Sequence, residues 1–260
     1  MMSLYSTVFV AILLLQTTGL QKVNGLAVAG ALSLDSMTFD KVVKSFKSIL
    51  IKFDNAYPHG EHQEEFRKLA TFSSKTEDFI IAEVGINEYG EKENQDLANR
   101  YGIRKDNYPQ YRLFKGDLDS PISHSGGTTH FEIVRFLREN GIYVGLDGCL
   151  ERLDSLAEKF MSSLGGQKDT QEAVFNELKN VIENFHTAEE KEYGEMYISI
   201  VKNMIGKGRD FVQKNIDRMV SILEGDNVAK NKKEKLQKKV NILKCFSLSA
   251  ATSSGIKDEL

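Results

Sequence analysis

The chain has no tryptophan, three prolines and two cysteines in 260 residues. Each scarcity excludes something. The cysteines, Cys149 and Cys245, are far apart in sequence and form no Cys-x-x-Cys pair, the usual arrangement of an attacking thiolate with its resolving thiol. Two small, partly buried thiols are therefore favoured over a redox pair, and sequence alone cannot say whether they meet. The prolines, Pro58, Pro109 and Pro121, all fall in the first half, leaving the second free of helix breakers. Beyond the first 25 residues no apolar run approaches the length of a membrane span, so no stable membrane insertion is expected. A net charge of −3 gives no pull toward nucleic acid, and no aromatics interleave with the lysines of the last helix as base stacking would require.

The two ends carry address signals. An apolar run from Val8 to Leu15 is too short to span a bilayer and leads into polar and small residues, so residues 1–25 read as a signal peptide cut after Gly25, with Val23 and Gly25 as the small residues before the cut. Lys257-Asp258-Glu259-Leu260 is a receptor-read retention signal, which has meaning only in the lumen of the endoplasmic reticulum. About 235 residues remain for folding, comfortable for two domains.

Periodicity divides them. Ser48–Asp54, Phe79–Ile86 and Tyr111–Phe114 read as strands, separated by helical patterns over Glu61–Phe72, Lys92–Tyr101 and Thr129–Asn140. Alternation of this kind predicts an α/β domain over residues 26–148. From residue 149 to 256 the apolar spacing is helical throughout. Leu153, Leu156 and Phe160 form one stripe, and Tyr193, Tyr197, Ile200 and Met204 another. Five amphipathic helices joined by turns at Gly165-Gly166, Gly206-Lys207-Gly208 and Gly225 predict an all-α second domain. Glycines at 141, 145 and 148 mark the boundary. The glutamates around Glu189 and the lysines from Lys230 to Lys239 read as solvated helix faces.

Several separated motifs carry a family resemblance. Ile49–Gln63 resembles the active-site strand and loop of protein disulfide isomerases, with Pro58-His59-Gly60-Glu61 standing where those enzymes have Cys-Gly-His-Cys, and Tyr108-Pro109 resembles the Tyr-cis-Pro of thioredoxin folds. The segments KFDNAYPHGEHQEEF, AEVGINEYGEKEN, GALSLDSMTF and VGLDGCL resemble the endoplasmic reticulum resident protein 29 and Windbeutel family across nearly the whole mature chain. The resemblance implies a thioredoxin-like domain without redox catalysis, followed by a five-helix domain. It implies a homodimer that binds unfolded or maturing secretory proteins in the endoplasmic reticulum lumen and assists their folding and export, with the KDEL retrieval receptor as a further partner.

Carried over by position, the resemblance assigns dimer contacts to Gly30, Leu32 and Asp35, and client contacts to Asp54, Tyr57, His59, Tyr108, Pro109 and Tyr111. Cys149 matches the family's lone cysteine at the domain junction, whereas Cys245 is an addition. His59 replaces a common aromatic and Tyr111 a frequent phenylalanine; both keep a flat ring and add polarity.

No catalytic residue, cofactor or metal site is expected. His59 and His62 are three apart rather than the four a helical zinc pair needs, and no nucleophile elbow or phosphate-cradling loop appears. Tyr57-Pro58 could place a ring at a loop tip or pack it on its own domain; the residues alone leave both open. Two other functions stay in view: a thiol-disulfide enzyme using Cys149 with or without Cys245, and an adaptor dedicated to one client.

Overall fold

The computed structural model describes residues 27–166, 168–225 and 228–254. The expected signal peptide, its cut after Gly25 and the retention signal Lys257–Leu260 lie outside them.

The first domain is built on strands β1 (Ala31–Ser33), β2 (Ser48–Asn55), β3 (Phe79–Ile86), β4 (Gln110–Phe114) and β5 (Ile122–Ser123), in the spatial order β1-β3-β2-β4-β5. β1, β3 and β2 are parallel, whereas β4 and β5 are antiparallel to their neighbours. Helices α1 (Phe39–Ser45), α2 (Glu61–Ser73), α3 (Gln95–Arg100) and α4 (His130–Glu139) cover the two faces.

Alternation along the strands feeds both cores. Leu50, Ile81, Tyr111 and Leu113 point to one face and pack with Phe66 and Leu69 of α2 and Ile133, Val134 and Leu137 of α4. Ile49, Ile51, Phe53, Ala82, Val84 and Phe114 point to the other, against Phe39 and Val43 of α1 and Leu97 of α3. A strand buried on both faces reads as a continuous apolar run, which is why SILIKFD was visible in sequence. This is a thioredoxin-like domain, with the Tyr108–Pro109 peptide in the cis form.

Helix α3 is shorter than the pattern from Lys92 to Tyr101 predicts. Asn94 takes a left-handed backbone (φ 60°) and donates its side-chain amide to the Gly85 carbonyl at 2.7 Å, so the helix begins only after it. Helix α4 starts where expected, because Thr129 and Glu132 form a reciprocal capping box.

The second domain consists of α5 (Glu151–Ser163), α6 (Lys168–Glu183), α7 (Ala188–Lys207), α8 (Asp210–Leu223) and α9 (Lys230–Ser254). The predicted stripes converge on one core containing Leu156, Phe160, Leu178, Ile182, Tyr197, Val201, Met204, Ile216, Leu243 and Phe246. At Gly194 a side chain would begin 2.7 Å from Ile182, so glycine is what lets α7 approach α6 there. The two charge clusters are not wholly solvated faces: Lys235 pairs with Glu192 at 2.9 Å and Lys238 with Glu189 at 3.4 Å, joining α9 to α7.

Candidate functional site

Parallel strands β2 and β3 end together, with Asn55 opposite Ile86 in register, and the chain leaves both at the same edge of the sheet. Such carboxyl ends are where α/β sheets bind ligands. After β2, Ala56 donates its backbone N–H to the Ile86 carbonyl at 3.0 Å, and the Asn55 side chain accepts from the Tyr57 N–H at 2.9 Å. These bonds shape a tight exit that leaves the Tyr57 ring 66% exposed. His59, also exposed, keeps its ring nitrogen 3.3 Å from the Tyr57 carbonyl, and Gly60, at φ 79°, turns the chain into α2.

Phe53 pairs with Gln110 in the antiparallel register between β2 and β4, so Pro109 lies across from Asp54 at the same sheet end. Tyr108 is half-buried beside it. Burial, reinforced by the charges of Glu88 and Asp54, raises its hydroxyl pKa and keeps the phenol protonated. Tyr89, 77% exposed, stands on the rim three residues past the end of β3. Sequence reading overlooked it. The signal was a tyrosine followed by Gly90, a turn residue, immediately after a strand that ends beside β2.

Three expected contact residues are inside: Pro109 is buried, and so are Tyr111 and Asp54. Tyr111 is 1% exposed and packs at 6.4 Å, centroid to centroid, from Phe66. It shares a strand face with Leu113, so parity sends its ring into the core, and it supports the rim rather than touching a client. Asp54 is 6% exposed and lies 3.4 Å from the ammonium of Lys52. Lys52 is fully buried. It also meets Glu83 at 3.3 Å, donates to the Gln63 side-chain carbonyl, and lies 4.3 Å over the Phe66 ring. Buried charges persist only when paired and hydrogen-bonded, so this cluster is a fixed floor under the rim.

Gly30, Leu32 and Asp35 lie on or beside β1, an edge strand. Gly30 has φ 88°, and a side chain there would start 2.8 Å from the Ala70 carbonyl oxygen. Asp35 accepts the backbone N–H groups of Met37 and Thr38 at 3.0 and 2.9 Å, opening α1. Leu32 and Met37 are both exposed.

The cysteines are far from the Tyr57 rim. Cys149 lies between α4 and α5, Cys245 lies in α9, and their sulfurs are 2.9 Å apart. Around them a polar network joins the domains. Asp154 of α5 accepts from Arg138 of α4 at 2.7 Å and from the Tyr143 hydroxyl at 2.9 Å on one oxygen, and from the Tyr197 hydroxyl of α7 on the other. Arg138 also donates to the Val144 carbonyl at 3.2 Å. Burial pushes the Cys149 thiol well above its ordinary range, with Cys245 adding to the effect, and burial likewise raises Cys245. Thiolates are thus disfavoured at both positions, the reverse of what an attacking cysteine needs.

The histidines have other work among the described residues. His62 bonds the Thr128 hydroxyl, His124 the Gly127 carbonyl, and His130 the Glu65 carboxylate.

Residues 26–147 match the family model for the ERp29 N-terminal domain, and residues 148–246 that for the endoplasmic reticulum protein ERp29 C-terminal domain. The chain belongs to the ERp29 family. It is 29% identical to protein windbeutel of Drosophila melanogaster over 97% of this chain and 98% of that one. It is 25% identical to protein disulfide isomerase-like 2-2 of Oryza sativa subsp. japonica, covering 86% of this chain but 59% of the rice protein. Among solved structures, the first thioredoxin domain of mouse protein disulfide-isomerase A4 aligns with 47% of the chain and 86% of that domain, at 22% identity and a TM-score of 0.33. By its sequence the chain is a relative of the protein disulfide isomerases, and it carries the helical domain of the endoplasmic reticulum protein ERp29 family.

Proposed function

We propose that this protein is a luminal chaperone or escort factor that binds unfolded or partly folded secretory proteins and assists their folding and export without disulfide catalysis. The observation that carries the reading is the rim after β2. Where the related enzymes' motif would place two sulfurs there is Pro58-His59-Gly60-Glu61, beside an exposed tyrosine and a cis-proline. An exposed ring offers apolar area at small conformational cost, and backbone groups beside Pro109 can pair with an extended segment. Tyr57, Tyr89 and His59 supply side-chain contacts, with Tyr108 and Pro109 behind them. Exposed Ile205 and Ile222 offer further apolar surface on the helical domain.

Assembly as a homodimer fits the edge position of β1. Its outer edge, with Leu32 and Met37 exposed, can meet the same patch of a second copy across a twofold axis. The retrieval receptor is the partner proposed for Lys257-Asp258-Glu259-Leu260.

The adjacent sulfurs favour one rival, a dithiol catalyst. The burial of Cys245 and the raised pKa of both thiols weigh against it. Binding of an unfolded, thiol-blocked secretory protein to the mature chain separates the readings. Equal binding by wild type and the Cys149→Ser/Cys245→Ser double variant is expected. Loss of binding in a double variant that remains folded, or rapid insulin reduction abolished by Cys149→Ser, would move thiol chemistry to the centre. If neither protein binds unfolded chains, the dedicated adaptor replaces the chaperone.

A further inference from the structure

We propose that Cys149 and Cys245 close into an intramolecular disulfide at the domain junction, with Cys149 the sulfur that meets the oxidant and Cys245 the one that completes the bond. The sulfurs are 2.9 Å apart, and a disulfide is about 2.0 Å long, so closure needs a movement of about 1 Å. The backbone around them is fixed. Cys149 donates its N–H to the Leu146 carbonyl at 2.9 Å, and one turn before Cys245 the Asn241 side chain donates to the Asp147 carbonyl at 3.0 Å, holding α9 against the junction. Gly148 has φ 86°, and a side chain there would start 2.9 Å from the Lys238 side chain on that same helix, so glycine is what lets the junction approach α9.

Exposure assigns the roles. Cys149 is only part-buried and lines a cleft between the domains bounded by Phe72, Tyr143, Glu189 and Tyr193. Cys245 is 1% exposed and packs on the core of the thioredoxin-like domain. The oxidant is a small disulfide such as glutathione disulfide, or the disulfide of an exchange protein. The Cys149 thiol loses its proton and attacks one sulfur; that disulfide breaks and the first thiol departs, taking the proton. The Cys245 sulfur then attacks the Cys149 sulfur, forms the new bond and expels the second thiol with the second proton. Two cysteine thiols are oxidised and one disulfide is reduced to two thiols. Burial makes the sulfurs poor at starting exchange, so the bond forms slowly and persists once formed, as a structural staple rather than a catalytic centre.

The staple joins positions 96 residues apart and so closes a loop around the helical domain from its entrance to its last helix. A loop of this length predicts a rise in Tm on the order of 10 °C on oxidation. A soft metal ion is the competing occupant, since both sulfurs and an Asp154 oxygen lie within 4.8 Å of one another. Both Asp154 oxygens are already committed to Arg138 and two tyrosines, and the guanidinium would face the cation.

The test is equilibration of the purified mature chain in glutathione buffers as oxidising as the endoplasmic reticulum lumen. Acid quenching, maleimide alkylation and intact mass then report the sulfurs. The expected product has lost two hydrogens and takes no maleimide, and its Tm exceeds that of the reduced chain. Cys245→Ser should accumulate a glutathione adduct on Cys149, whereas Cys149→Ser should accumulate far less on Cys245. Two alkylated thiols at equilibrium would overturn the proposal. Thiols protected by stoichiometric zinc and released by a chelator would overturn it in favour of a metal site. Equal adduct formation in the two single variants would overturn the assignment of roles.

Discussion

The Tyr57 rim and the domain junction both gather tyrosines and charged groups, and they treat them in opposite ways. At the junction the hydroxyls of Tyr143 and Tyr197 and the Arg138 guanidinium all end on one carboxylate, out of solvent. At the rim, Tyr57 and Tyr89 present their rings to water, while the charges, Lys52 with Asp54 and Glu83, are sealed beneath. A satisfied, buried network holds architecture. Exposed rings on a rigid floor have contact area to give. Two constellations of similar residue types thus have different roles, decided by which groups have partners inside the chain.

The comparison predicts where mutation costs stability. Asp154→Ala should have the largest effect, about 3–5 kcal/mol, because it leaves the Arg138 charge and two tyrosine hydroxyls buried without their acceptor. Urea unfolding measures it; a loss under 1 kcal/mol would mean the junction opens easily to water. Lys52→Met should follow at about 3 kcal/mol. Its methionine would fill the space over Phe66 but leave Asp54 and Glu83 facing each other without a cation. An unchanged midpoint would show that the floor under the rim is not held by charge.

A third substitution concerns pH. Glu65 of α2 is the link to α4, accepting the His130 backbone N–H at 2.9 Å and pairing with Lys68 and the His130 ring. Burial alone would raise its pKa. The hydrogen bonds from Lys68 and His130 outweigh that and lower it from 4.5 to about 2. The folded state therefore binds this proton less readily than the unfolded state does. The stabilisation is complete above pH 4.5 and is lost as pH falls toward 2, worth on the order of 1 kcal/mol once solvent screening is allowed for. Glu65→Gln should flatten that acid limb in a series of thermal melts, and an unaltered limb would remove Glu65 as its source.

How much of this was legible in sequence depended on the range of the interaction. Strands β2 and β3 were visible as near-continuous apolar runs buried on both faces, and the helical stripes because burial repeats every 3.6 residues along one segment. β1 and β5, at three and two residues, are too short to show a period, and α1 carries only Phe39 and Val43 as buried positions. Position in the family pattern puts Tyr111 on the surface, although its spacing from Leu113 places both on one strand face. The side-chain contacts at the junction could not be read. Arg138 and Asp154 resemble ordinary helix-surface charges in their own segments, and the cysteines meet only because α9 returns across the first domain. No local pattern encodes a contact of that separation.

Tyr57→Ser is the smallest change in stability and the sharpest test of the rim. Its ring is 66% exposed, and the bond that shapes the loop uses its backbone N–H, which serine retains. Unfolding free energy should therefore shift by less than about 0.5 kcal/mol. Binding of an unfolded, thiol-blocked client should weaken by about tenfold, equivalent to about 1.4 kcal/mol of contact area lost from one aromatic anchor. Tyr57→Phe keeps the ring and should bind nearly as wild type, so the pair separates apolar contact from hydroxyl bonding. A Tyr57→Ser protein that is fully folded and binds clients undiminished would leave the rim without its central residue and move recognition to the exposed isoleucines of the helical domain.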